Sequence, residues 1–180
     1  MAIPFRDLRP DDGGALAGYL RFVDEDGGRG IRGALFIVNA RGEPLDFTFS
    51  RVDVPASFLW RAGEARRHAV ASLVASLFHA CAQTPALILS MAAEVHPRLF
   101  SEDIRVEVPL CRIAEGVAVV HAADESPEPL ADGTHLFWLG ASPLADSNAR
   151  RLLDALVARH LLLEPFERTV KGIAEAFDGS

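Results

Sequence analysis

The residues best suited to chemistry lie in the run Phe22-Val-Asp-Glu-Asp-Gly27, where three consecutive carboxylates, Asp24, Glu25 and Asp26, precede a glycine. Clustered carboxylates suggest a hard divalent cation. A calcium loop opening at Asp24 needs an oxygen ligand at its fifth position, glycine at its sixth and glutamate at its twelfth. Those positions are Gly28, Arg29 and Leu35, so the run reads as an acidic turn. His68 and His79 share one side of a helix but are three turns, about 16 Å, apart and cannot share an ion. His121 and His135 flank an acidic loop and can face each other across a strand pair. There is no Cys-x-x-Cys and no His-Glu-x-x-His, and Cys81 and Cys111 read as buried small hydrophobes. Gly140-Ala-Ser-Pro-Leu144 holds only the first half of a serine nucleophile elbow. Lys171 follows no phosphate loop, and Gly27-Gly-Arg-Gly-Ile-Arg-Gly33 leads into a strand, not into the helix a dinucleotide fingerprint requires. No metal site is assigned from these residues.

The elements that would position such residues are legible. Residues 1 to 17 are polar with proline and glycine and read as an N-terminal arm. From Gly18 a strand leads into the glycine turn. Gly33 to Ser50 then reads as a hairpin at the centre of the sheet. Its first strand is apolar on both faces, and in its second Leu45, Phe47 and Phe49 alternate with Asp46, Thr48 and Ser50. Leu35 or Phe36, Ile37, Phe47 and Phe49 are expected to be buried. A helix over 64 to 82 follows, with Ala69, Val70, Leu73, Val74, Leu77, Phe78 and Cys81 along one stripe. Thr84-Pro85 stops it.

A short buried strand, Ala86 to Met91, comes next. An alternating strand through Ile104 to Ile113 is expected to be interrupted or edge-bound by Pro109. Residues 116 to 122 are expected to pair with 134 to 140 across an acidic loop. Two helices follow, the first capped by Ser142-Pro143 with Leu144 on its buried side, the second opening at Pro165. The fold class is α/β or α+β: an antiparallel three-strand meander plus further strands, a long amphipathic helix and a C-terminal helical pair. The domain reading is an arm at 1–17, a sheet domain at 18–140 and helices at 141–180 packed on it.

The order strand, strand, strand, helix, strand over residues 18 to 112 resembles the ribonuclease H-like fold. In that family an aspartate on the first strand, a glutamate on the first helix and an aspartate on the fourth strand hold two divalent metals for phosphodiester hydrolysis. The resemblance implies Asp24 and Glu64 as the first two, with Mg or Mn as the cofactor. Ser90 stands where the third acid belongs, which leaves Glu94 or Asp103 to supply it. Profilin-like and roadblock-like sheets, which bind proteins, share the hairpin-then-helix order.

With 180 residues, 49% hydrophobic and 24% charged, the chain is long enough for one ordinary core. It shows no secretory leader and no stretch fit to cross a membrane, so the expected location is cytoplasmic. The net charge of −7 argues against nonspecific nucleic-acid binding. An incomplete catalytic set makes the leading expectation a non-catalytic subunit or adaptor of a bacterial multiprotein system, without cofactor. It would bind a protein partner in an undetermined oligomeric state. Phe58, Trp60, Phe137 and Trp138 are its candidate interface anchors. The alternative is a degenerate or active ribonuclease H-like metal-dependent nuclease.

Overall fold

The computed structural model describes residues 14–56, 58, 60–61, 63–116, 119 and 124–178. Seven strands form one mixed sheet: β1 (Ala17–Asp24), β2 (Gly30–Val38), β3 (Pro44–Asp53), β4 (Leu87–Met91), β5 (Leu110–Glu115), β6 (Glu125–Pro129) and β7 (Thr134–Leu139). Their order is β3-β2-β1-β4-β5-β7-β6. β1, β2 and β3 pair antiparallel, β1, β4 and β5 parallel, and β5, β7 and β6 antiparallel again. The expected α/β class and the three-strand meander are both present.

Strand alternation sends residues to two faces, and each face is covered by helix. Leu20, Phe22, Leu35, Ile37, Ile88 and Leu110 meet α1 (Glu64–Ala80) through Ala69, Val70, Leu73, Val74, Leu77 and Phe78. His68, Ser72 and His79 of α1 face outward, as the stripe requires. Tyr19, Phe36, Leu89, Cys111, Leu136 and Trp138 meet α2 (Asn148–Ala158) and α3 (Glu164–Asp178) on the other face. No helix among the described residues is long and apolar enough to cross a membrane.

Several expectations are corrected. The hairpin is not central throughout: β3 is the outermost strand and pairs with β2 alone. Leu35, Phe36 and Ile37 are buried, but Phe47 is half-buried, and Phe49 and Leu45 are about half exposed. α3 covers β3 only along one margin, where Phe177 packs edge-on against Phe49. α1 stops at Ala80, because Cys81 turns to an extended conformation and the Ala82 N–H donates to Asp46. β5 begins only after Pro109, so residues 106–109 are not strand.

β7 pairs with β5 on one side and with the proline-bearing segment 125–129 on the other, and the expected pairing of 116–122 falls mostly outside the described residues. Residues 117, 118 and 120–123 lie outside the described ones, and the expected facing of His121 and His135 lies there with them. Pro127 and Pro129 are tolerated because β6 is an edge. Ser147, not Ser142, caps α2: its Oγ accepts the Arg150 N–H at 3.2 Å, and Leu144 is exposed. Ser142 instead donates to Glu128, which also accepts from the Trp138 indole and from Arg150 and so ties β6, β7 and α2 together. Both cysteines are free. Burial pushes the Cys81 thiol up to about 11 and raises the Cys111 thiol well above its ordinary value, so neither is a ready nucleophile.

Candidate nucleic-acid site

The parallel strands β1, β4 and β5 run side by side, and one of their faces meets α1. Leu20 of β1 pairs with Ser90 of β4, and Ser90 pairs with Arg112 of β5. All three lie on the α1 side of the sheet at one level. Leu20 and Ser90 are fully buried and Arg112 nearly so. This level therefore carries a hydrocarbon, a neutral hydroxyl and a guanidinium.

Arg112 NH1 donates to both carboxylate oxygens of Glu125, at 2.8 and 3.0 Å, and NH2 donates to the Ala92 carbonyl at 2.9 Å. The pair is sealed, with 2% and 1% of the two side chains accessible. The Oγ of Ser90 has no hydrogen-bond partner among the described residues. These residues do not fit a pair of divalent metals. Such ions require several clustered carboxylate oxygens, whereas this level offers a cation and a carboxylate already committed to it.

Asp24 is four residues beyond Leu20 on β1, about 13 Å further along the strand. It accepts from Arg66 of α1 at 3.2 and 3.3 Å. Glu94 does come back to β1, where its Oε1 meets Arg21 at 2.6 Å and its Oε2 accepts the Phe22 N–H at 3.1 Å. Burial raises the Glu94 carboxyl above its ordinary range, with Arg21 opposing the shift. Asp103 is held by Arg67 at 2.6 and 2.8 Å, and Glu102 by the same guanidinium at 2.8 Å. Glu64 opens α1 and lines a groove with Arg67 and His68. Asp24, Glu94 and Asp103 thus each lie against an arginine. Among the described residues no group of three or more histidine, cysteine or acidic side chains is arranged to hold a metal ion.

The groove, of about 700 Å³, lies between the outer side of α1 and the single π turn at Leu99–Asp103. Trp60 stands at it, its ring stacked on His68 with centroids 4.9 Å apart and planes 27° apart. Phe58, just before, is 84% exposed. Phe58 and Trp60 are therefore available to a ligand. Phe137 and Trp138 are not: they are 3% and 1% exposed, on β7, which lies between β5 and β6. That corrects their expected interface role, because an inner strand buries both of its faces.

Arg112 and Glu125 were absent from the sequence expectations. A signal was there: Arg112 is the single charge in the apolar run Leu110-Cys-Arg-Ile-Ala114. Its partner lay in a segment read as loop.

No protein-family model and no curated protein matches the chain. Among solved structures, the chain is similar to an Endonuclease V from Streptomyces avermitilis. The TM-score is 0.57 at 13% identity, over 97% of this chain and 88% of that one. A second similarity, to an Endonuclease V from Bacillus subtilis, has a TM-score of 0.47 at 13% identity, over 92% and 88%. The first likeness is one of fold. It corrects the leading expectation of a non-catalytic subunit or adaptor with a protein partner and nucleic acid not favoured, since the solved structure with this fold is an endonuclease. The chain has a fold similar to that of this Endonuclease V, with Leu20, Ser90 and Arg112 side by side across β1, β4 and β5.

Proposed function

We propose that this chain is a degenerate ribonuclease H-like nuclease, one that engages nucleic acid without metal-dependent cleavage. The observation that carries the reading is the Leu20–Ser90–Arg112 row inside a nuclease-type fold. Phosphodiester hydrolysis by two metals needs carboxylates that fix both ions against the attacking and leaving oxygens. The row supplies none, and Arg112 would repel a divalent cation placed beside Ser90. Engagement of nucleic acid does not require that centre. It requires cations for phosphates and flat side chains for bases. The net charge of −7 is a sum over the whole surface. Many carboxylates are consumed locally by arginine, while Arg61, Arg98 and Arg105 remain exposed near α1 and the turn after β4.

The test is fluorescence anisotropy with labelled single-stranded and duplex DNA and RNA across a salt series, beside a cleavage assay with Mg or Mn. The expected result is binding that weakens as salt rises, as phosphate contacts dictate. No cleavage is expected from the wild type or from Asp24→Asn. Cleavage by the wild type that vanishes in Asp24→Asn would overturn the degenerate reading in favour of an active enzyme. Absence of binding to every probe at low salt would overturn the nucleic-acid reading itself.

A further inference from the structure

The groove along α1 has a charge arrangement unlike that of a phosphate site. Its lining holds three carboxylates, Glu64, Glu102 and Asp103, and Arg67 among them is already claimed by two. A phosphate would be repelled from such a floor, whereas a group bearing N–H donors would be received by it. Ala71 and Ala75 of α1 line the groove with small side chains. At the same groove the flat Trp60–His68 stack offers a π face.

Cations stand at the margins. Arg61 adjoins Trp60 and is exposed, and the Arg98 side chain, 60% exposed, leans on Glu102 at 3.5 Å. Acceptors within and guanidiniums at the rim complement a nucleobase with its flanking phosphates. A volume of about 700 Å³ is that of a small-molecule site.

Resting on the nucleic-acid reading above, we infer that this groove takes an unpaired base of a single strand. The base stacks on Trp60, its exocyclic amine donates to Glu64, and its phosphates lie toward Arg61 and Arg98. A duplex must first unpair and unstack a base to present one here, so single strands are the ligand class.

The chain has two tryptophans, and Trp138 is 1% exposed, so quenching by a ligand reports Trp60. A short oligodeoxycytidylate is titrated into the wild-type protein, with an abasic deoxyribose-phosphate oligomer of equal length and the matching duplex as comparators. Saturable quenching by the single strand is expected, with little from either comparator. By anisotropy, Trp60→Ala should weaken single-strand binding about tenfold, the scale of one lost stacking contact, and Trp60→Phe should retain most of it. Equal affinity for the abasic oligomer, or single-strand binding by anisotropy with no quenching, would overturn the base-in-groove inference while leaving nucleic-acid binding intact. Failure of every probe to bind in either assay would remove the nucleic-acid reading and this inference together.

Discussion

The α1 face of the sheet carries charge in two places that are built in opposite ways. At the level of Ser90 a single ion pair, Arg112 with Glu125, is sealed between strands. At the end of β1 and along α1, the pairs Asp24–Arg66 and Arg67–Asp103 lie in partial contact with solvent, with side chains 24% to 55% exposed. A sealed pair cannot exchange partners, because each charge alone would be stranded in a low-dielectric interior. A solvated pair exchanges readily, because water and ions replace either member at little cost. In this molecule the buried level of Ser90 has the first kind of charge. The second kind lines the groove and its surroundings, and that is where a ligand can be met.

The contrast is broken most severely by removing one member of the sealed pair. Glu125→Leu should destabilise the protein by about 3–5 kcal/mol, since Arg112 is then buried uncompensated. Replacing both, Arg112→Met with Glu125→Leu, should recover most of that loss. Urea denaturation of the two variants checks both statements, and equal midpoints would show that the pair is not coupled. Next in size is Leu20→Ala, with an expected loss of about 3 kcal/mol from a fully buried site.

A gain should follow from Ser90→Ala, which removes a buried hydroxyl without a partner. Relief of its desolvation is worth on the order of 1 kcal/mol, and a loss of stability instead would mean that an unseen partner satisfies Ser90. The smallest effect belongs to the solvated side: Asp24→Asn should change stability by less than about 1 kcal/mol.

The acid limb of stability sharpens the comparison further. Hydrogen bonds from Arg51 and then Arg32 hold the Glu25 carboxyl down at about 2, below its ordinary 4.5. A depressed carboxyl stabilises the fold above its unfolded value and loses that contribution as pH falls through the folded one. Stability should therefore decline between pH about 4.5 and about 2, and Glu25→Gln should flatten that decline when melting temperature is followed against pH.

Periodicity carried much of the fold. The α1 stripe is legible because seven buried positions repeat at helical spacing, and β2 and β4 because they are uninterrupted apolar runs. Local chemistry misled wherever tertiary context decided the outcome. Pro127 and Pro129 look like loop residues, yet an edge strand needs hydrogen bonds on one side only. Ser142-Pro143 has the form of a helix start, but Glu128 captures the serine hydroxyl.

The candidate site was legible in types and not in register. Nothing in one dimension says that Ser90 stands opposite Leu20 and Arg112 and not beside Asp24, because strand offset is set by how whole strands pack. Asp24 was read at the end of the first strand and does close β1, whereas Glu94 was read only as a possible third acid. Their arginine partners, Arg66 and Arg21, come from elements whose approach is tertiary.

β4 is shorter than β1 by three residues, and its ladder with β1 ends at Leu20 opposite Ser90. Beyond that point Glu94 lends a side-chain oxygen to the Phe22 amide, in the place a strand carbonyl would occupy. Deuterium uptake at that amide is consequently gated by a carboxylate rather than by strand unzipping. Its protection should rise and fall with the seating of the segment after β4, independently of the slow amides of β1 that face β2. Glu94→Ala should accelerate exchange at Phe22 while Leu20 keeps its slow rate, making this one amide a local reporter of whether that segment is docked.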